Sequence, residues 1–186
     1  MNSLPNLLTL SRIVVIPLIV ATFFFPGDSM RWTACILFVA AAITDFFDGY
    51  VARRINGVSL LGRFLDPIAD KLLVAAVLLM LTAFRRIEGI HVLPALIILL
   101  REIMVSGLRE FLAELRIGMP VSRLAKWKTG FQMTALPVLM VGSSAPSWLP
   151  AETIGLICLW SAAVLTLVTG WDYLRAGLHH MQDRAP

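Results

Sequence analysis

Apolar positions along the chain gather into six long runs, approximately 6–26, 32–53, 62–84, 90–112, 126–145 and 151–174. Each is near the ~20 residues that a helix needs to cross the hydrocarbon core of a bilayer. Turn formers separate the runs: Pro-Gly-Asp-Ser at 26–29, Asn56–Gly57, the stretch Gly118–Pro120, and Ser-Ser-Ala-Pro-Ser at 143–147. No run shows sustained two-residue alternation with hairpin turns, which argues against a β-barrel. Nor is there an internal repeat or low-complexity tract. The pattern predicts an all-α, polytopic membrane protein with six transmembrane helices, forming one membrane domain over 1–186.

The first run has two features of its own. It lacks a charged leading region and a small-residue cleavage site, and it contains Arg12, so it reads as a retained span and not as a signal peptide. The stretch from Ser3 to Arg12 also admits a reading as a short interfacial helix ahead of the span. Asn6, Thr9 and Arg12 recur every three residues, close to one helical face. Such a stripe suits either the headgroup level or a contact with an active site.

Composition supports the membrane reading. Hydrophobic residues make up 58% of the 186 residues and charged residues 15%, and the mean hydropathy is +0.81. A water-soluble domain of this size could not hide so much apolar surface, whereas lipid can face it. The net charge of +4 comes from basic residues at the ends of apolar runs. That placement points to anionic headgroups or phosphorylated substrates and away from nucleic acid. Cys35 and Cys158 sit inside apolar runs without partner motifs and read as packing residues.

The distribution of Lys and Arg predicts orientation. Arg53, Arg54 and Arg63 flank the second connection, and Arg109, Arg116, Arg123, Lys126 and Lys128 flank the fourth. The opposite side has Arg31, Arg85 and Arg86. The bias puts both termini and the even-numbered connections in the cytoplasm, with Arg85–Arg86 the contrary pair.

Against this apolar background four aspartates stand out. The second run ends ITDFFDGYVARR, with Asp45 and Asp48; the third begins LLGRFLDPIADKLL, with Asp66 and Asp70. An ionisable side chain within a span costs a few kcal/mol on insertion scales and marks function by default. At 100° per residue, Asp45, Asp48, Gly49 and Ala52 fall within an arc of about 100°. Gly62, Asp66 and Asp70 follow at i, i+4 and i+8 and share a face. A short connection makes the two helices antiparallel neighbours. Four carboxylates meeting there require protonation or cations, and an oxygen-only donor set favours Mg²⁺, Mn²⁺ or Ca²⁺ over zinc. Gly49, Ala52 and Gly62 leave the cleft wall bare for a ligand, although small residues also serve plain helix packing. Arg53 at the edge suits a polyanion such as a pyrophosphate. Divalent ions held by aspartates are a standard means of phosphoryl transfer. Two other classes stay open at this point, a divalent-cation transporter and a structural scaffold. The clustering of the acids at one membrane side disfavours the first, and their burial cost disfavours the second.

The pattern Asp45-x2-Asp48-Gly49-x2-Ala52-Arg53-x8-Gly62-x3-Asp66-x3-Asp70 resembles the signature of the CDP-alcohol phosphotransferases. The resemblance implies six transmembrane helices, a homodimer, and an active site open to the cytoplasmic leaflet. It implies that Asp45, Asp48 and Asp66 hold two divalent cations, Mg²⁺ or Mn²⁺. Asp70 would also contact metal and act as general base, and Gly49, Ala52, Arg53 and Gly62 would line the CDP site. LPNLLTLSRIVVIPLIV at the start, FLDPIADKLL, REI at 101–103, LRE at 108–110 and KWKT at 126–129 are similar to bacterial members that use glycerol 3-phosphate. This likeness is strong over 4–133. It implies a bacterial inner-membrane enzyme joining CDP-diacylglycerol and glycerol 3-phosphate, with inositol phosphate or phosphatidylglycerol as alternative acceptors. The dianionic acceptor needs cations. Arg109, Lys126 and Lys128 are candidates, with Arg63 and Arg101 weaker. Lys126 and Lys128 are two positions apart and do not share a face, so one of them is expected to point into the site, and Arg109 with Lys126 is the favoured pair.

Overall fold

The computed structural model describes the backbone of residues 4–55, 60–114 and 123–182, and the side chains of 10–44, 65, 68–113, 124–171 and 173–175. Among these residues all regular secondary structure is helical: α1 Leu4–Thr22, α2 Asp28–Ile55, α3 Leu60–Ala83, α4 Val92–Glu114, α5 Arg123–Val141 and α6 Ala151–Gln182. Short 3₁₀ turns at Gly89–His91 and Gly142–Ser144 complete the set. The helices follow the six apolar runs, with shifts at the ends. α1 is continuous from Leu4, with no break at Arg12, and stops at Thr22. Phe23–Phe25 belong to the turn that follows, closed by Pro26 and by Gly27 at φ 121°. α6 runs on to Gln182, beyond its apolar stretch.

The chain divides into two compact units. One holds α1, α2, α3, the end of α5 from Leu136 and the start of α6 to Gly155. Here α1 packs on both α2 and α3, burying Ile19, Phe38, Leu73, Val77 and Leu81. Ala34, Ala41 and Ala69 are buried among them, and their small side chains let helix backbones approach closely. Gly155 serves the same end: a Cβ there would lie 2.6 Å from Leu139 Cγ. The other unit holds α4, the first part of α5 and α6 from Leu156. Its core includes Ile98, Val105, Leu112, Leu159, Ala162 and Ala163.

Two helical stretches are long and apolar enough to cross a membrane, Gly89–Ala113 and Ala151–Arg175. Only 28% and 39% of their apolar windows are buried, so most of each apolar window faces outward. Leu93, Leu96, Leu100 and Ile103 of α4 stay exposed, as do Val164, Leu167 and Val168 of α6. On α1, Leu10, Val14 and Leu18 form an exposed i, i+4, i+8 stripe. In water such contiguous apolar faces are a liability, and in lipid they are the solvated surface. α2 and α3 hold the aspartates, and α5 opens with Arg123, Lys126 and Lys128.

Candidate active site

α2 is helical through 45–53 and α3 through 62–70. The motif spacing therefore falls on regular helices, as its period requires. The side chains of Asp45, Asp48, Gly49, Ala52, Arg53, Gly62, Arg63 and Asp66 lie outside the described residues. The described member is Asp70. Its Oδ1 accepts a hydrogen bond from Arg12 Nη1 at 2.6 Å. The arginine side chain is 2% exposed and the carboxylate 46%. A buried cation on α1 thus grips one carboxylate oxygen on α3, while nearly half of the Asp70 side chain stays accessible. Charge-assisted bonds of this kind are short and directional. The polar stripe of the first helix thus includes, at Arg12, a contact with one of the motif aspartates.

The donor set fits a hard divalent cation. The motif supplies carboxylate oxygens alone, and the Asp70 side chain is 46% exposed while Arg12 holds its Oδ1. Among the described residues no three His, Cys, Asp or Glu side chains gather; three of the four motif carboxylates are outside that set.

Of the acceptor candidates, Arg101, Arg109, Lys126 and Lys128 belong to the other unit. Arg109 and Lys126 are exposed. Lys128 is buried, and its ammonium donates to Glu102 Oε1. Arg101, also buried, donates to the same carboxylate at 3.4 Å and to Thr169 Oγ1 at 2.9 Å. The Arg101 and Arg109 guanidiniums lie 5.6 Å and 5.8 Å from the Tyr173 ring centroid. Gly170 makes room for this, since a Cβ there would meet Arg101 Cγ at 3.0 Å. Glu102 is thereby the anion of a buried network built on α4, α5 and α6. Thr169, Gly170 and Tyr173 have no counterpart in the sequence-derived site. Their only trace in the sequence is a polar group inside an otherwise apolar run.

The two lysines should behave oppositely. Lys128→Gln leaves the partly buried Glu102 with only its longer bond to Arg101, and is expected to destabilise the protein by about 2 kcal/mol. Lys126→Gln should leave stability within about 0.5 kcal/mol, as for an exposed substitution. Denaturation midpoints of the two variants in one detergent check this. Equal midpoints would show that the Lys128–Glu102 pair contributes nothing.

The family model for CDP-alcohol phosphatidyltransferase matches residues 2–168. A CDP-diacylglycerol–glycerol-3-phosphate 3-phosphatidyltransferase of Rickettsia typhi is 49% identical over 95% of this chain and 97% of its own. Proteins of the same name from Shigella flexneri and Cereibacter sphaeroides are 40% and 37% identical, each covering at least 97% of both chains. The likeness thus extends well past residue 133 and takes in most of α6.

Proposed function

The chain belongs to the CDP-alcohol phosphatidyltransferase family, and we propose that it transfers the phosphatidyl group of CDP-diacylglycerol to the primary hydroxyl of glycerol 3-phosphate. The products are phosphatidylglycerol phosphate and CMP. The observation that carries this reading is the near-complete coverage, at 49% identity, by a relative named for that reaction.

In this mechanism the acceptor hydroxyl gives its proton to Asp70. Its oxygen bonds to the lipid-side phosphorus, and the bond from that phosphorus to the CMP oxygen breaks. Arg12 holds Asp70 in register for the proton. Two divalent cations, Mg²⁺ or Mn²⁺, held by Asp45, Asp48, Asp66 and Asp70, would supply neutralisation of the pyrophosphate and acidify the hydroxyl. Gly49, Ala52, Arg53 and Gly62 receive the CDP moiety, as the motif match suggests. Arg109 and Lys126, both exposed, serve the acceptor phosphate, with Arg63 as a third cation. Lys128 supports Glu102 instead. All six helices span the bacterial inner membrane, and the carboxylate ends face the cytoplasm. The basic residues of the even-numbered connections support that orientation. The chain acts as one catalytic domain and, as the resemblance implies, as a homodimer.

Purified protein in detergent, given CDP-diacylglycerol and radiolabelled acceptors, is expected to release CMP with glycerol 3-phosphate and not with inositol phosphate or phosphatidylglycerol. Chelation should reduce the rate to background, and excess Mg²⁺ or Mn²⁺ should restore it. CMP release with another acceptor alone would overturn the acceptor. Metal uptake into liposomes without CMP release would overturn the enzyme.

A further inference from the structure

Arg85 and Arg86 run against the charge bias of the chain, and the transfer reaction gives them no task. The structure turns them in opposite directions. α3 ends with Arg85 at φ 54°, a left-handed conformation usually left to glycine. Arg85 N–H bonds to Thr82 O at 3.1 Å and Arg86 N–H to Leu81 O at 2.8 Å, the paired bonds of a Schellman turn. Arg85 points outward and pairs with Glu88. Arg86 folds inward, its guanidinium 4.5 Å over the Phe23 ring, and its Nη1 donates to Met140 O at 2.6 Å.

A cavity of about 320 Å³ opens beside it, walled by Phe23, Phe24, Phe84, Pro26 and a second cation, Arg31. Arg31 Nη1 donates to Ser143 Oγ at 2.8 Å. Both arginines therefore gather at the C-terminal end of α5. A helix C-terminus carries about half a negative charge. Glu152 also stands near Arg31, each bordering Gly142, but neither it nor any other acid lines the cavity. Among the described residues, Arg31 and Arg86 make no ion pair; Asp28 instead accepts from Ser144. Each guanidinium has five donors and spends one on the protein. Burial, and then the like charge of Arg31, push the Arg86 guanidinium down to about 10.

We propose that this cavity binds the phosphate of an anionic phospholipid in the leaflet opposite the catalytic carboxylates. Arg31 and Arg86 share the phosphate oxygens, and the phenylalanines receive the glycerol and upper acyl region. Arg31 lies 14 residues before Asp45 on α2, about 21 Å along the helix axis, so the cavity is separate from the catalytic end. A lipid is favoured over a free anion because the rim is apolar and outward-facing. Phe24 is 66% and Phe25 59% exposed, as suits aromatic rings at a membrane interface.

The test uses full-length protein, delipidated in detergent with chelator present so that the catalytic carboxylates hold no cation. Short-chain phosphatidylglycerol, short-chain phosphatidylcholine and inorganic phosphate are titrated separately, and bound ligand is read by native mass spectrometry. Phosphatidylglycerol is expected to bind about tenfold more tightly than phosphatidylcholine: both offer the phosphodiester, but the choline headgroup brings a third cation beside the two guanidiniums. Arg31→Gln should erase that preference, Arg31→Lys should recover part of it, and CMP formation should stay within about twofold in both. Arg86→Gln should act like Arg31→Gln, but it also removes the bond to Met140. Arg31→Gln, whose only loss within the protein is a bond to an exposed serine, therefore decides the matter if the Arg86 variant fails to fold. Equal binding of the two lipids, or an unchanged preference in Arg31→Gln, would overturn the site. Inorganic phosphate competing at the same concentration as the lipid would overturn a phospholipid as the occupant.

Discussion

Asp70→Asn is expected to lower the rate of CMP formation by about three orders of magnitude or more. The change is nearly isosteric, and the amide oxygen can still accept the bond that Arg12 donates to Oδ1. What disappears is the negative charge and the basicity. Loss of a general base alone is worth about 10²–10⁴ in rate, and loss of a metal-binding oxygen adds to it. The measurement is CMP release with CDP-diacylglycerol and glycerol 3-phosphate, alongside the unfolding midpoint. A folded Asp70→Asn protein with a rate within tenfold of the parent would remove Asp70 from the chemistry.

Arg12→Gln should have the next largest effect. Arg12 touches neither substrate in the proposed mechanism; it acts by holding Asp70. Its guanidinium is almost fully buried, so it holds that carboxylate from inside the helix packing. Misplacing a reactive group by about 1 Å can cost 10²-fold, and a loss of about 100-fold in kcat is expected. KM for glycerol 3-phosphate should change by less than about threefold, because Arg12 is not one of the proposed acceptor cations. Arg12→Lys should recover part of kcat, since a lysine keeps the charge but not the planar fork. A merely structural arginine would instead lower the unfolding midpoint and leave kcat of the surviving enzyme intact. An Arg12→Gln enzyme with parental kcat would refute the positioning role.

Much of this protein is legible along the chain because its governing physics is local. A helix in lipid must satisfy its own backbone and face apolar groups outward, so six apolar runs translate into six helices with only their ends displaced. The displacements mark where local chemistry is silent. Phe23–Phe25 are as apolar as the α1 residues before them, yet they leave the helix to wall a cavity against Phe84. The aspartate spacing is legible for the same reason. Residues three and four apart share a helical face whatever the rest of the fold does, and that periodicity carries the family resemblance. It likewise sends Lys126 and Lys128 to different faces, as observed.

Which residues meet across helices is another matter, because tertiary packing decides it. Arg12 and Asp70 are 58 positions apart, and nothing in either neighbourhood names the other. A stripe containing Arg12 is equally consistent with headgroups until α1 is seen to pack on α3. Lys128, and not Lys126, turns inward because a partly buried Glu102 on α4 accepts its ammonium. Arg86 breaks the charge bias because the end of α3 and the end of α5 come together, and a helix C-terminus attracts a cation. The sequence by itself determined the helices, their apolar faces and the carboxylate motif, all set by interactions within a few residues. The tertiary structure alone decided which cation holds Asp70, which lysine is buried and where two arginines converge, because those follow from pairings between distant helices.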